Sequence, residues 1–315
     1  MTILRKIYVR YFRGGAIGNT MRNLWYWNWS VSHRSFKSRR EHNRLFEFWR
    51  SASQQAGLFF YRTLYVAKYY WPRLRAGFFW VLESRETSNF TYDLTARNEM
   101  HLAHMIALAL RLQPEEIAGY IGEIKQDKAL RDTVVRQVKQ LGRQGGYDPT
   151  ARFGRRVGWY ALVRAMKPSV VVETGVEKGL GATVLCAALS RNSMEGHLGH
   201  YYGTDIDQAA GGLLTEPYRA MGEILYGDSI DSLCALNVKI DIFINDSDHS
   251  AEYEGREYEA IAQKLSERAV IVGDNAHVSD ELLKFSCRND RHFLYFREEP
   301  IDHWYLGAGI GLSFK

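Results

Sequence analysis

Cysteine is scarce in this chain: Cys186, Cys234 and Cys287 are the only three in 315 residues, widely spaced and odd in number. That count excludes a disulfide framework and a zinc knuckle, and it points to a reducing compartment with free thiols. No internal repeat or low-complexity tail occurs, and the length allows one large α/β domain plus a substantial extra piece. Long apolar runs are also missing. The segment AGLFFYRTLYVAKYYWPRLRAGFFWVL is interrupted by Arg62, Lys68, Pro72, Arg73 and Arg75, short of the roughly 18 unbroken apolar residues of a spanning helix. The opening MTILRKIYVRYFRGG is basic but has neither the apolar core nor the cleavage site of a signal peptide, so the expected location is cytoplasmic, with the inner face of the membrane as an option.

Acidic residues are rare at one end only. Residues 1–90 hold 16 Lys or Arg against 4 Asp or Glu, whereas residues 91–315 hold 25 against 32. The first 90 also carry 22 of the 42 aromatics, including Trp25, Trp27, Trp29, Trp49, Trp71 and Trp80. The chain is therefore read as bipartite, its two parts facing different surroundings. Three readings of the basic aromatic part stand: a helical subdomain packed on the main domain or on a second copy in a homo-oligomer, peripheral contact with an anionic membrane, or nucleic-acid binding. No finger, helix-turn-helix or RNA-binding aromatic motif accompanies it, which argues against nucleic acid.

The expected domains are a basic helical region at 1–90, a helical lid or linker at 91–165, and an α/β domain at 166–315. In the middle region NEMHLAHMIALALRL predicts one helix, with His101 and His104 as a packed or surface pair, and the stretch from Pro114 to Gly142 predicts a second. Beyond Pro168 short Val- and Ile-rich segments alternate with amphipathic ones, which predicts a doubly wound, mostly parallel sheet with crossover helices. RHFLYFRE and GAGIGLSFK predict two final strands that form a mixed edge.

Chemistry-bearing residues collect where the predicted strands end. In VVVETGVEKGLG a strand stops at Glu173, and Gly175 and Gly179 permit a tight turn and close approach of a ligand to the backbone. The next strand ends in Asp205 and Asp207, either of which is placed for ribose hydroxyls, although Asp207 also suits a helix cap. A third ends in Asp228 and Ser229, beside the same pocket, where an acid accepts from an adenine amino group. Three polar strand ends on one rim indicate a nucleoside site.

Over about Val170 to Lys315 the sequence resembles the class I S-adenosylmethionine-dependent methyltransferases, whose first motif, acid-x-Gly-x-x-x-Gly, is matched by Glu173, Gly175 and Gly179. The resemblance implies a Rossmann-like sheet of seven strands and S-adenosyl-L-methionine as cofactor. It implies that Glu173 and Gly175 approach the methionine part, Asp205 the ribose, and Asp228 with Ser229 the adenine. Within the class the chain most resembles the macrolide and aminocoumarin sugar O-methyltransferases and the cephalosporin hydroxylase-like group, which carry a segment like Asp246, Ser247, Asp248 and His249.

Two further clusters, NDSDHS and GDNAH, follow the fourth and fifth predicted strands and bring Asp246, Asp274 and Asn275 to one rim. Three oxygen-bearing side chains with room for water suit Mg²⁺ or another hard divalent ion, which would lower the pKa of an acceptor hydroxyl and fix its angle; metal-dependent O-methyltransferases carry the same pattern. Asp246 or His249 is the expected base, Asp248 a supporting or capping acid, and His277 a weaker substrate contact. Arg155, Arg156 and Tyr160 are candidates for closing over the cofactor or holding an anionic substrate. The expectation is an O-methyltransferase acting on a small-molecule or glycan hydroxyl: a sugar, glycolipid or natural product. The alternatives are a nucleotide-binding oxidoreductase or hydroxylase, opposed by the missing tight Gly-x-Gly fingerprint, and a non-catalytic binding module on a degenerate fold.

Overall fold

A computed structural model describes residues 40–84, 86, 91–142 and 150–315. The basic, tryptophan-bearing start through residue 39 lies outside the described residues. By internal contacts the chain divides into Met1–Tyr69 and Tyr70–Lys315. In the first unit and running on into the second is a long helix, α1 (Arg40–Glu83), which contains Pro72.

The second unit continues with helices α2 (Ala96–Leu110), α3 (Pro114–Gln126), α4 (Lys128–Leu141) and α5 (Arg156–Met166). α2 starts where the Thr95 side chain accepts from the Asn98 N–H, and both His101 and His104 are exposed on its surface. The single helix expected from Pro114 to Gly142 is two. Asp127 ends the first and caps the second, its Oδ1 accepting from the Leu130 N–H at 2.9 Å, because an aspartate satisfies a helix start better than it sits in a helix interior.

Then come β1 (Val170–Thr174), α6 (Leu180–Met194), β2 (His200–Asp205), β3 (Gly222–Tyr226), α7 (Ser229–Ala235), β4 (Ile240–Asn245), α8 (Ala251–Ile261), β5 (Leu265–Gly273), α9 (Glu281–Arg288), β6 (His292–Arg297) and β7 (Gly309–Phe314). The seven strands form one sheet in the order β3-β2-β1-β4-β5-β7-β6, and only the pairings that involve β7 are antiparallel. The mixed edge expected from the last two strands is therefore present. Strand order reverses at β1, between β2 and β4, and in open α/β sheets ligands bind at the carboxyl ends of the strands at such a switch.

Register brings those ends level: Thr174 pairs with Thr204 on one side and Asn245 on the other, and Asn245 pairs with Gly273. One sheet face packs on the helices before and after β1, through Leu102, Trp159, Leu162, Leu185 and Ile244 among others. The other packs on α7, α8 and α9 through Phe243, Tyr258, Ile271 and Phe285. Both faces are covered, so these strands read as unbroken apolar runs rather than alternating ones.

Candidate active site at the strand ends

The turn after β1 is shaped by two glycines with left-handed backbone. Gly175 has φ +82°, and a Cβ built there would lie 2.0 Å from the Asp246 carbonyl oxygen; Gly179 has φ +91°, and its Cβ would lie 2.9 Å from Gly211 Cα. Only glycine permits both the conformation and the approach. The turn after β1 is thus pressed directly on the segment after β4, and the loop after β2 closes over its other side.

Asp205 holds this turn. Its Oδ2 accepts from the Glu177 N–H and its Oδ1 from the Asp207 N–H, each at 2.8 Å. Asp207 is exposed and makes a local turn, accepting from the Ala209 N–H at 2.9 Å. Asp228 caps α7 through the Ile230 and Asp231 N–H groups and takes the Tyr253 hydroxyl at 2.9 Å; these bonds, led by that from Asp231, hold its carboxyl below the usual range. Ser229 turns inward instead, donating to the buried Glu257. Glu173 lies buried in the sheet layer, where it accepts the Tyr201 hydroxyl, and burial pushes its carboxyl up to about 8.

Sequence reasoning missed Glu257. This carboxylate, fully buried on α8, accepts from Ser229, from Asn245, from Ser247 at 2.7 Å and from Thr174 at 3.3 Å, so it ties the ends of β1 and β4 to the start of α7. Its signal was an acid on the helix face shared by Glu254, Tyr258 and Ile261, all buried.

The cluster at the ends of β4 and β5 is built around Asp274. Arg155 donates from Nε and Nη2 to its two carboxylate oxygens and from Nη1 to Tyr92 Oη at 2.9 Å, while Tyr92 donates to Glu298. The main chain arranges this meeting. Thr95 N–H donates to the Glu299 carbonyl at 3.0 Å and Ile301 N–H to the Asp93 carbonyl at 2.8 Å, zipping the segment before α2 to the one after β6. Burial raises the Asp274 carboxyl, but Arg155, a hydrogen bond with Asp246 and the Arg156 charge together outweigh it and the net shift is downward; burial and then the Asp274 charge push Asp246 well above the ordinary range. Asp246 also lies 3.6 Å from Arg155 Nη2 and 4.0 Å from His249 Nε2. His249 accepts from the Asn275 amide at 2.8 Å, and burial lowers its pKa.

Aromatic rings stand beside this cluster. The Tyr92 ring lies 5.4 Å from Tyr305 and 5.8 Å from His303, and Trp304 lies 5.3 Å from Trp80.

Several expected roles change in place. Arg155 is spent on Asp274 and Tyr92 rather than held out for a substrate anion. Arg156 is buried, its guanidinium 5.5 Å from the Trp159 ring. Tyr160 points its hydroxyl to Glu123. His277 accepts from the Gly309 N–H at 3.1 Å, which anchors the start of β7. Asp248 keeps to its expected capping part, making a turn with the Ser250 N–H at 2.7 Å ahead of α8.

Residues 172–276 match the family model described as Methyltransferase domain, a span that runs from inside β1 to just past β5 and contains the glycine turn and both acid clusters. The fold is that of the class I methyltransferases. Solved structures similar to this chain include a Streptomyces achromogenes O-methyltransferase involved in tomaymycin synthesis, in complex with SAM. It is 15% identical at a TM-score of 0.45, over 60% of this chain and 90% of that one. An O-methyltransferase from Bacillus cereus is 15% identical at a TM-score of 0.46, over 62% and 96%. An SAH-bound methyltransferase of Podospora anserina is 14% identical at 0.44, over 58% and 88%. A search of curated proteins gives no match.

Proposed function

We propose that this chain is an S-adenosylmethionine-dependent O-methyltransferase whose acceptor is a hydroxyl of a sugar, glycolipid or other small natural product. One observation carries the reading: the missing side chain of Gly175 lets the turn that would take the methionine end of the cofactor touch the backbone of Asp246. A carboxylate is thereby held beside the point where a methyl group would be delivered.

The cofactor supplies a methyl group already activated on a sulfonium. What the chain must supply is orientation of the alcohol and a place for its proton. With the cofactor bound, the methyl group would pass from sulfur to the acceptor oxygen, and Asp246 would take the hydroxyl proton. His249 sits at the half-exposed mouth and Asn275 fixes its ring, an arrangement suited to holding a neighbouring hydroxyl of the acceptor. The half-buried ring of Tyr305, backed by the buried ring of Tyr92 at 5.4 Å, provides an apolar edge against which a sugar face or a lipid stem can lie.

Asp246, Asp274 and Asn275 do converge, but their donor atoms do not fit a divalent ion as they stand. Both oxygens of Asp274 are taken by Arg155, and among the described residues no group of three or more His, Cys, Asp or Glu side chains is placed to hold a metal. The guanidinium supplies the positive charge that a metal would have brought, so no step is routed through one.

Calorimetry with S-adenosylmethionine and with NAD separates this reading from a dinucleotide enzyme. Binding of the sulfonium cofactor, weakened about tenfold or more when Asp205→Ala loosens the turn, is expected; binding of NAD alone would overturn it. Transfer of labelled methyl to a panel of sugars, glycolipids and phenols then ranks the acceptors.

A further inference from the structure

Helix α1 carries an apolar stripe that nothing in the described residues covers. Phe60, Leu64, Trp71, Leu74, Phe78 and Leu82 recur at spacings of three, four or seven and so fall on one side of the helix, in a band about 33 Å long. Leu64 is half-buried; the other five are 50–65% exposed. Monomeric soluble proteins rarely leave so long a row of large side chains in water.

Charge decides what fits it. Between Ser51 and Leu82 there are four cations, Arg62, Lys68, Arg73 and Arg75, and no acid at all; Glu83 is the first. At about 100° per residue, Lys68 and Arg75 border the stripe, while Arg62 and Arg73 fall on the far side with the hydroxyl-bearing Tyr65 and Tyr69. A second copy of the helix laid along the stripe, in either direction, would find only cations at its borders, the reverse of the complementary pairs that flank coiled-coil seams. A nucleic acid would use the cations and leave the apolar row exposed. An anionic lipid surface uses both: the row enters the headgroup–acyl boundary, and the Lys68 and Arg75 stems lie along it with their charges among the headgroups. Aromatic residues are enriched at that depth, and no helix among the described residues is long and apolar enough to cross.

We infer that α1 is a membrane-surface helix, lying flat on anionic lipid through the Phe60–Leu82 stripe. The inference does not depend on the methyltransferase reading.

The test is sedimentation of the full chain with vesicles of phosphatidylcholine alone and of phosphatidylcholine mixed with phosphatidylglycerol. Expected is binding at least about tenfold tighter to the mixed vesicles, falling as salt rises. Two variants locate it: Trp71→Ser with Phe78→Ser removes the apolar row, and Lys68→Glu with Arg75→Glu reverses its borders. Both change exposed positions, so the thermal unfolding midpoint serves as the control for folding, and each is expected to lose the tight binding with that midpoint unmoved. Equal binding to both vesicle types, or undiminished binding by the stripe variant, would overturn the inference. So would sedimentation velocity showing a dimer that the stripe variant converts to monomer, since a second copy would then be the cover.

Discussion

Arg155 grips Asp274 with two parallel N–H donors, and this fork joins the start of α5 to the end of β5 at the buried floor of the site. It also leaves Asp246 as the more open acid of the pair, since the Asp274 side chain is wholly enclosed.

Removing the arginine should cost stability as well as activity. Arg155→Ala would strand the buried Asp274 charge, and a loss of about 3–5 kcal/mol is expected from urea unfolding. Arg155→Lys should recover only part of it, because an ammonium cannot make the fork. Full stability in Arg155→Ala would mean the pair contributes nothing.

The same fork sets the response to chelators. Turnover is expected to survive an excess of chelator, measured with the best acceptor of the panel. Loss of turnover that Mg²⁺ restores would return a metal to Asp246, Asp274 and Asn275, and would require Arg155 to swing away when it binds.

Asp246 and His249 can be told apart by rate. Asp246→Asn is expected to lower kcat by roughly 10²–10⁴, the usual range for a lost general base, with cofactor affinity little changed. His249→Gln should act mainly on KM for the acceptor. The opposite pattern would make the imidazole the base.

Glu173 gives the protein a pH dependence that does not involve turnover. Its carboxyl is raised to about 8 in the folded chain from an ordinary 4.5, with burial as the first cause. Below the ordinary value both states hold the proton and the fold bears no penalty from it. As pH climbs toward 8 the unfolded chain gives up the proton and the folded chain does not, so stability falls across that window and then levels off. Glu173→Gln should flatten this slope, gaining a few kcal/mol relative to the parent at pH 8 and little near pH 4.5. Parallel stability curves for the two proteins would show that Glu173 titrates alike in the folded and unfolded chain.

Local signals carried the sequence reading a long way. Apolar runs ending in acids marked β1 to β5, and Gly175 and Gly179 marked the turn, because strand burial and left-handed backbone both leave their imprint on neighbouring residues. The helix α9 left a weaker imprint, being eight residues long with Lys284 and Arg288 on its outer side. What stayed illegible were partnerships across the chain. Tyr92 and Glu298 are 206 residues apart and Arg155 and Asp274 119 apart, and no spacing rule connects such pairs. The metal expectation failed to fit for that reason: Asp246, Asp274 and Asn275 were read as an acid-rich set without the cation that a distant helix brings. Glu257 was hidden differently, as one acid among several on α8.

The placement of β7 makes the far edge of the sheet a single unit. Among the described residues β6 hydrogen-bonds to β7 and to no other strand, although it precedes β7 in the chain. Because β7 links β6 to β5, β6 can join the sheet only once residues 309–314 have paired beside β5. Glu298 follows directly on β6, so the buried chain of contacts through Tyr92 to Arg155 depends on β7 being docked, and loosening the sheet edge would loosen the floor of the site with it.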